Sequence, residues 1–201
     1  MDKKSGILSR KDILDAAEKT LRRYGQKKTS VTDVAKELNM SHGSIYRHFP
    51  NKSALKEAVT ERWLEEEIMI PLRKLLKSEE TSPNHLLKDF FLKLISLKQN
   101  HAKNDEEMFE MYAEVTGEAT ELITNHVNCI IEMLNQIIEK GINLNVFKPV
   151  ADKEVISRSI FYATARFHHP SHAYEWKNSK RIREEFEQVW DLIQDGFTIS
   201  N

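Results

Sequence analysis

The chain reads as all-α, with an N-terminal three-helix head of helix-turn-helix form followed by a larger C-terminal helical body of about six helices. Three observations predict this. Apolar residues recur at helical spacing, as in Ile13, Leu14, Ala17 and Leu21 near the start and Ile182, Phe186, Val189, Trp190 and Ile193 near the end. Glycine and proline are scarce, 6 and 5 of 201 residues, and no run alternates with the period of a strand. Between Thr29 and Leu55, two short capped helical patterns flank a very short turn.

Taken in order, residues 1–8 read as a loose arm whose Lys3 and Lys4 either touch phosphate or hang free. Ser9 with Asp12 forms a capping box that opens the first helix, and Gly25 stops it after Tyr24. Ser30 with Asp33 forms a second capping box, after which Val31, Val34, Ala35 and Leu38 share one inward face. Asn39 tolerates the positive φ that ends a helix, and Ser41 is placed to cap the next one, His42 to His48. That helix presents His42, Ser44 and Arg47 near its N-terminal half and keeps Ile45 and Phe49 for packing. A tight helix-turn-helix whose second member begins with donors and small residues has the geometry that enters a major groove.

At these positions the chain resembles the TetR-type one-component transcriptional regulators of bacteria. The resemblance is carried by Gly25, Thr29-Ser30-Val31, Val34-Ala35, Met40-Ser41, Gly43-Ser44-Ile45-Tyr46-Arg47-His48-Phe49 and Lys52-Ser53-Ala54-Leu55, with Asn39 where glycine is usual. It covers residues 10 to about 56 and implies a DNA-binding domain at 1–50 and a ligand-sensing and dimerisation domain at 51–201. Thr29 and Ser30, at a helix N-terminus, are placed to set hydroxyls and N–H groups against phosphate. Gly43 lets the backbone come close. His42, Ser44 and Arg47 are candidates for base edges, Arg47 reaching guanine with two hydrogen bonds, while Tyr46, His48 and Lys52 suit phosphates. Ser41 completes the DNA-binding set.

Asn51 to about Lys77 reads as a connecting helix with Ala54, Leu55, Ala58, Val59 and Trp63 inward, and Pro71 kinks or breaks it near Ile70. Ser82-Pro83 signals the next start, with Leu86, Leu87, Phe90, Phe91, Leu94 and Ile95 as its stripe. A helix from about Asp105 carries Met108, Met111, Tyr112 and Val115. Ala119 to Lys140, closed by Gly141, is apolar on more than one face and is expected at the centre. Two helices remain, about Asp152 to His168 and about Ser179 to Phe197. By the resemblance, the last two helices pair with their copies in a second subunit, which implies a homodimer through Phe186, Val189, Trp190, Ile193 and Phe197. Packing within one chain is the other reading of that stripe. A two-fold dimer would place its heads about 34–36 Å apart and read a palindrome.

The body would be the sensor. Trp63, Phe90, Phe91, Met108, Met111, Tyr112 and Phe161 either line an apolar cavity for an unknown small-molecule effector or fill a plain core. Glu107, Glu110, Glu114, Glu118 and Glu121 form a carboxylate stripe; bordering a cavity it would favour a cation, and facing water it is a solvated surface. His168, His169 and His172 sit beside Pro170 with no Cys or carboxylate at ligand spacing, so they read as a structural or interface corner, open to a pH effect, in preference to a metal site. Cys129, the single cysteine, lies in an apolar pattern and reads as core.

Charge separates along the chain. Residues 1–62 carry 14 Lys and Arg against 8 Asp and Glu, a net of +6, and the rest carries 16 against 23, a net of −7. Such a field orients a basic head toward phosphate and an acidic body away from it. No apolar run has membrane length and the first twenty residues are charged throughout, so neither a membrane span nor a signal peptide is expected and the cytoplasm is the default. No glycine-rich phosphate loop, zinc spacing or serine elbow supports an enzyme, and no cofactor is expected. The reading is a homodimeric regulator of double-stranded DNA, a repressor released by a small molecule; the alternative is a helical interaction protein that kept the head but lost sensing.

Overall fold

The structure, a computed structural model, describes residues 8–77 and 82–199. The arm at residues 1–8 lies almost wholly outside that range. The head consists of α1 (Arg10–Tyr24), a 3₁₀ turn (Gln26–Lys28), α2 (Val31–Glu37) and α3 (His42–Tyr46). Both capping boxes form: the Ser9 and Ser30 hydroxyls accept from the backbone of Asp12 and Asp33, whose carboxylates accept in return. Asn39 takes φ 52°, and Gly25 takes φ 78° where α1 stops. Ser41 stands at the N-cap of α3 but its hydroxyl makes no cap bond; it lies 3.1 Å from the Ser44 hydroxyl instead.

The connector is α4 (Lys52–Leu64), a π-helical turn (Glu65–Met69) and α5 (Ile70–Leu76). The expected break at Pro71 is a register change. Proline has no N–H to give and its ring crowds the carbonyl four residues back, and the wider π turn just ahead of it absorbs both constraints without ending the helix.

The body is α6 (Pro83–Asn104), α7 (Glu106–Glu118), α8 (Thr120–Asn143), α9 (Lys153–Ala163), α10 (Ala165–His168), a 3₁₀ turn (Pro170–Glu175) and α11 (Ser179–Phe197). α8 is central, touching α4, α5, α6, α7 and α9. It runs through Gly141 instead of stopping there. Gly141 is glycine because Phe147 folds back onto it: a Cβ would stand 2.0 Å from the Phe147 ring. The helix expected from Asp152 to His168 breaks at Thr164, whose buried hydroxyl donates to the carbonyls of Ile160 and Phe161. One continuous apolar cluster links head, connector and body. Among the described residues the extended backbone pairing is a single bridge, Phe147 to Thr198.

Two expectations about the body change. Cys129 is exposed, because it sits on the side of α8 that borders an open groove against α1 and α4. The α11 stripe faces its own chain. Phe186, Trp190 and Phe197 are buried, Val189 and Ile193 are half-buried, and the aromatic rings pack against Phe167, Phe91 and Phe147 at centroid distances of 5.4, 5.8 and 4.6 Å. These rings bury more apolar surface against α6 and the α10 corner than any other face of α11 offers, so the stripe is spent on docking the helix. What α9 and α11 leave exposed is Val155, Tyr162 and Leu192.

Candidate nucleic-acid interface and ligand cavity

α3 is held to the head by Ile45 and Phe49, which are fully buried, with the Arg10 guanidinium 4.5 Å over the Phe49 ring. Everything else on that short helix is thereby fixed in orientation. His42, Gly43, Tyr46 and Arg47 are exposed on one continuous surface, with Lys52 exposed at the start of α4 and His48 half-buried beside them. Arg47 reaches only the Ser44 hydroxyl, at 3.5 Å. Among the described residues Arg47 and Lys52 make no ion pair, whereas Arg22, Lys56 and Arg62 are all paired with carboxylates. A Cβ on Gly43 would meet only the Ser41 hydroxyl, at 3.7 Å, so nothing within the chain demands glycine there.

Two of the residues singled out for DNA turn inward. Thr29 is buried and its hydroxyl donates to the Gly25 carbonyl at 2.8 Å, tying the 3₁₀ turn to α1. Ser44 is buried between Ser41 and Ile45, so its side chain supports the helix and does not face outward. Ser30 is half-buried, its hydroxyl committed to the cap of α2.

In the body, a cavity of about 230 Å³ opens between α6, α7, α8, α9 and α10. Of the residues expected to line a ligand site, Tyr112 and Phe161 do so. Trp63, Phe90, Phe91, Met108 and Met111 do not: each is buried in the core that holds the connector, α6 and α7 together. Their side chains point along the helix–helix seams, where packing consumes them. Apolar character alone could not separate the two sets.

The wall also holds residues that the sequence did not single out for it. Lys98 on α6 is 2% exposed; its Nζ finds no hydrogen-bond partner and lies 3.8 Å from the centroid of the Tyr112 ring. The Nε2 of His126 on α8 is likewise buried and unpartnered. His168 is 3% exposed, its Nε2 at 3.3 Å from both the Phe161 carbonyl and the Thr164 hydroxyl. Burial lowers the Lys98 amine well below its ordinary range and holds the His168 imidazole down to about 3, with the nearby Lys98 charge adding to the shift. The signal in the sequence was a lone lysine inside the apolar stripe of α6, between Leu94 and His101.

The three-histidine corner divides its labour. His168 faces the cavity, the His169 ring accepts from the Ser171 backbone N–H to cap the 3₁₀ turn, and His172 lies 3.2 Å from Glu175. Among the described residues no group of three or more His, Cys, Asp or Glu is arranged to hold a metal. None of their helices is long and apolar enough to cross a membrane.

The glutamate stripe of α7 faces the head and connector. Lys56 of α4 pairs with Glu114 at 2.6 Å and Glu118 at 3.0 Å, and Arg22 of α1 grips Asp105 through Nε and Nη2 at 3.1 and 3.0 Å. α7 thus carries Tyr112 and Thr116 in the cavity wall on one side and the ionic contacts to the head on the other. A wider groove of about 750 Å³ between α1, α4 and α8 is open to solvent, and its wall mixes apolar residues with charged ones such as Glu57, Glu61 and Arg62, which suits it less to enclosing a small molecule.

Known proteins share this arrangement. Residues 13–59 match the family described as "Bacterial regulatory proteins, tetR family", and residues 83–190 match "Tetracyclin repressor-like, C-terminal domain". An HTH-type transcriptional regulator of Bacillus subtilis, YfiR, is 26% identical over 73% of this chain and 72% of its own length. A protein described as a probable acrEF/envCD operon repressor of Escherichia coli is 30% identical over 40% of this chain and 34% of its own. A TetR transcription regulator of Haloarcula marismortui, 19% identical, superposes with a TM-score of 0.69 over 94% of this chain and 97% of its own. The second of the two family matches alone spans more than half of the 201 residues, and both agree with the capped helix-turn-helix and the helical body, so the chain belongs to the TetR family of transcriptional regulators and is not an enzyme.

Proposed function

We propose that the chain is a homodimeric repressor that reads a palindromic operator with α3 of each head and lets go when a small molecule fills the cavity of the body. The observation that carries this reading is the exposed face of His42, Gly43, Tyr46, Arg47 and Lys52, anchored from beneath by Ile45 and Phe49. Arg47 takes guanine, His42 a neighbouring base edge, and Tyr46, His48 and Lys52 the flanking phosphates. Thr29, Ser30, Ser41 and Ser44 shape the turn and offer backbone, not hydroxyls, to the duplex. The head spans residues 1–50 and the sensing and dimerising body 51–201.

Release runs through α7. A ligand against Tyr112 and Thr116 displaces that helix, and the Arg22–Asp105 and Lys56–Glu114/Glu118 contacts hand the displacement to α1 and α4, altering the separation of the two heads. The ligand does this only to the extent that it binds the released state more tightly than the DNA-bound one.

The test is selection of genomic DNA fragments by the purified protein at two salt concentrations. An enriched palindrome, with affinity falling steeply as salt rises, is expected for the native chain, and loss of the shared motif for Arg47→Ala. Salt-sensitive binding with no shared motif, or an Arg47→Ala protein that enriches the same palindrome, would count against the assignment.

A further inference from the structure

The body cavity is lined by bases, several of them held neutral by burial. Its wall holds Lys98 from α6, His126 from α8, Arg158 from α9, His168 from α10 and His169 from the corner that follows, and none of its lining residues is a carboxylate. Tyr112 from α7 and Tyr162 from α9 are the other titratable groups in the wall; burial raises the Tyr112 phenol, so it stays a neutral donor. Arg158, at the more open end, is engaged by Glu154 and Asn128. The deep end has no such partner. Lys98 is covered to 2% exposure with its Nζ unpaired, and the face of Tyr112 is its one favourable contact.

A buried amine with no acceptor loses the hydrogen bonds water would have given it and regains none. Stacked over a ring, it recovers a fraction of that cost. An apolar residue of the same volume would serve the α6–α8 packing better, so a polar amine kept here is explained by a group that arrives to pair with it. The apolar part of the wall is Leu94, Ile123, Val127, Ile130 and Phe161, which suits a hydrocarbon or aromatic body.

We propose that the cavity binds a compact organic acid, its carboxylate paired with Lys98 and hydrogen-bonded by His126, and its apolar body lying against Phe161, Val127 and Ile130. This rests on the reading of the cavity as the effector site and adds the chemical class of effector. The volume of about 230 Å³ matches an acid of one aromatic ring or a short chain, not a long acyl group.

Phenylacetate, benzoate and hexanoate serve as probes, each against its neutral amide and its amine counterpart, by thermal shift and calorimetry on the DNA-free protein. At least one acid is expected to bind about ten-fold or more tightly than its amide, the ratio a charge-assisted hydrogen bond supplies, and the amines not at all. Lys98→Met should melt at or above the temperature of the native chain and lose the response to acids. Acids that bind no better than their amides, amines that bind as well, no binding by any acid at millimolar concentration, or undiminished binding to Lys98→Met would each overturn the proposal. The native comparison stands without the variant. A palindrome found in the DNA selection together with failure of every acid would leave the regulator reading intact and remove this inference alone.

Discussion

Gly43 and Gly141 show how one residue type answers opposite demands. Around Gly43 the chain leaves room for a methyl group, which fits the close approach of a duplex proposed above. Gly43→Ala is expected to keep the melting temperature, or raise it through the better helix propensity of alanine by up to about 1 kcal/mol, and to weaken operator binding in a mobility-shift assay. At Gly141 the reason is internal: the Phe147 ring occupies the place of a Cβ, and Phe147 in turn stacks on Phe197. Gly141→Ala should cost about 1–3 kcal/mol, read as a lower urea midpoint, because the ring pair must shift to admit it. Equal stability of the two variants would refute this contrast. Asn39, at φ 52°, is a third backbone requirement, and there the sequence spoke plainly, since asparagine is the residue that bears such a φ with least strain after glycine.

At the scale of the element, a helix can announce an amphipathic stripe without saying what covers it. α11 is the case in point. Its stripe suits either a partner subunit or its own chain, and the choice went to its own chain, leaving Leu192 75% exposed on the opposite side and Val155 and Tyr162 exposed on α9. These three are the dimer face proposed in place of Phe186, Val189, Trp190, Ile193 and Phe197. Leu192→Glu should leave helix content unchanged in the isolated chain and shift sedimentation at micromolar concentration from dimer to monomer, since the carboxylate would be buried against its partner. A variant that remains dimeric moves the interface elsewhere. The connector teaches the complementary point: Pro71 marks the place of a disturbance, and only the surrounding packing selects a π turn over a break.

At the scale of the whole molecule, the head and body share one apolar cluster and are joined by ionic contacts between basic α1 and α4 and acidic α7. The charge asymmetry visible in the sequence is therefore partly consumed inside the chain, while among the described residues Arg47 and Lys52 make no ion pair. The buried imidazoles make stability depend on pH. His168 is held neutral down to about 3, and the unfolded chain titrates near 6.5, so between these values the unfolded state binds a proton that the folded state refuses. The contribution of this one group is full above about pH 6.5 and is lost as pH drops toward 3, by up to about 1.4 kcal/mol per pH unit. His126 acts in the same direction, its imidazole also held down by burial. Urea midpoints at pH 7 and pH 5 check this; the native chain should be weaker at pH 5, and His168→Gln should narrow the gap. A gap unchanged by that substitution would place the acid sensitivity elsewhere.

Taken alone, the sequence determined the capping boxes at Ser9 and Ser30, the left-handed turn at Asn39, the helix-turn-helix head with Ile45 and Phe49 as its anchors, and a body of amphipathic helices. These are set by residues within about four positions of one another, where hydrogen bonding and side-chain spacing leave little choice. Tertiary structure alone decided that Thr29 and Ser44 turn inward, that α11 packs on its own chain, that Cys129 faces water, and that the cavity is walled by Tyr112, Phe161, Lys98, His126 and His168 and not by Trp63, Phe90, Phe91, Met108 and Met111. Those outcomes depend on which helix face meets which neighbour, and the competition among alternative burials is settled only when all the helices pack at once.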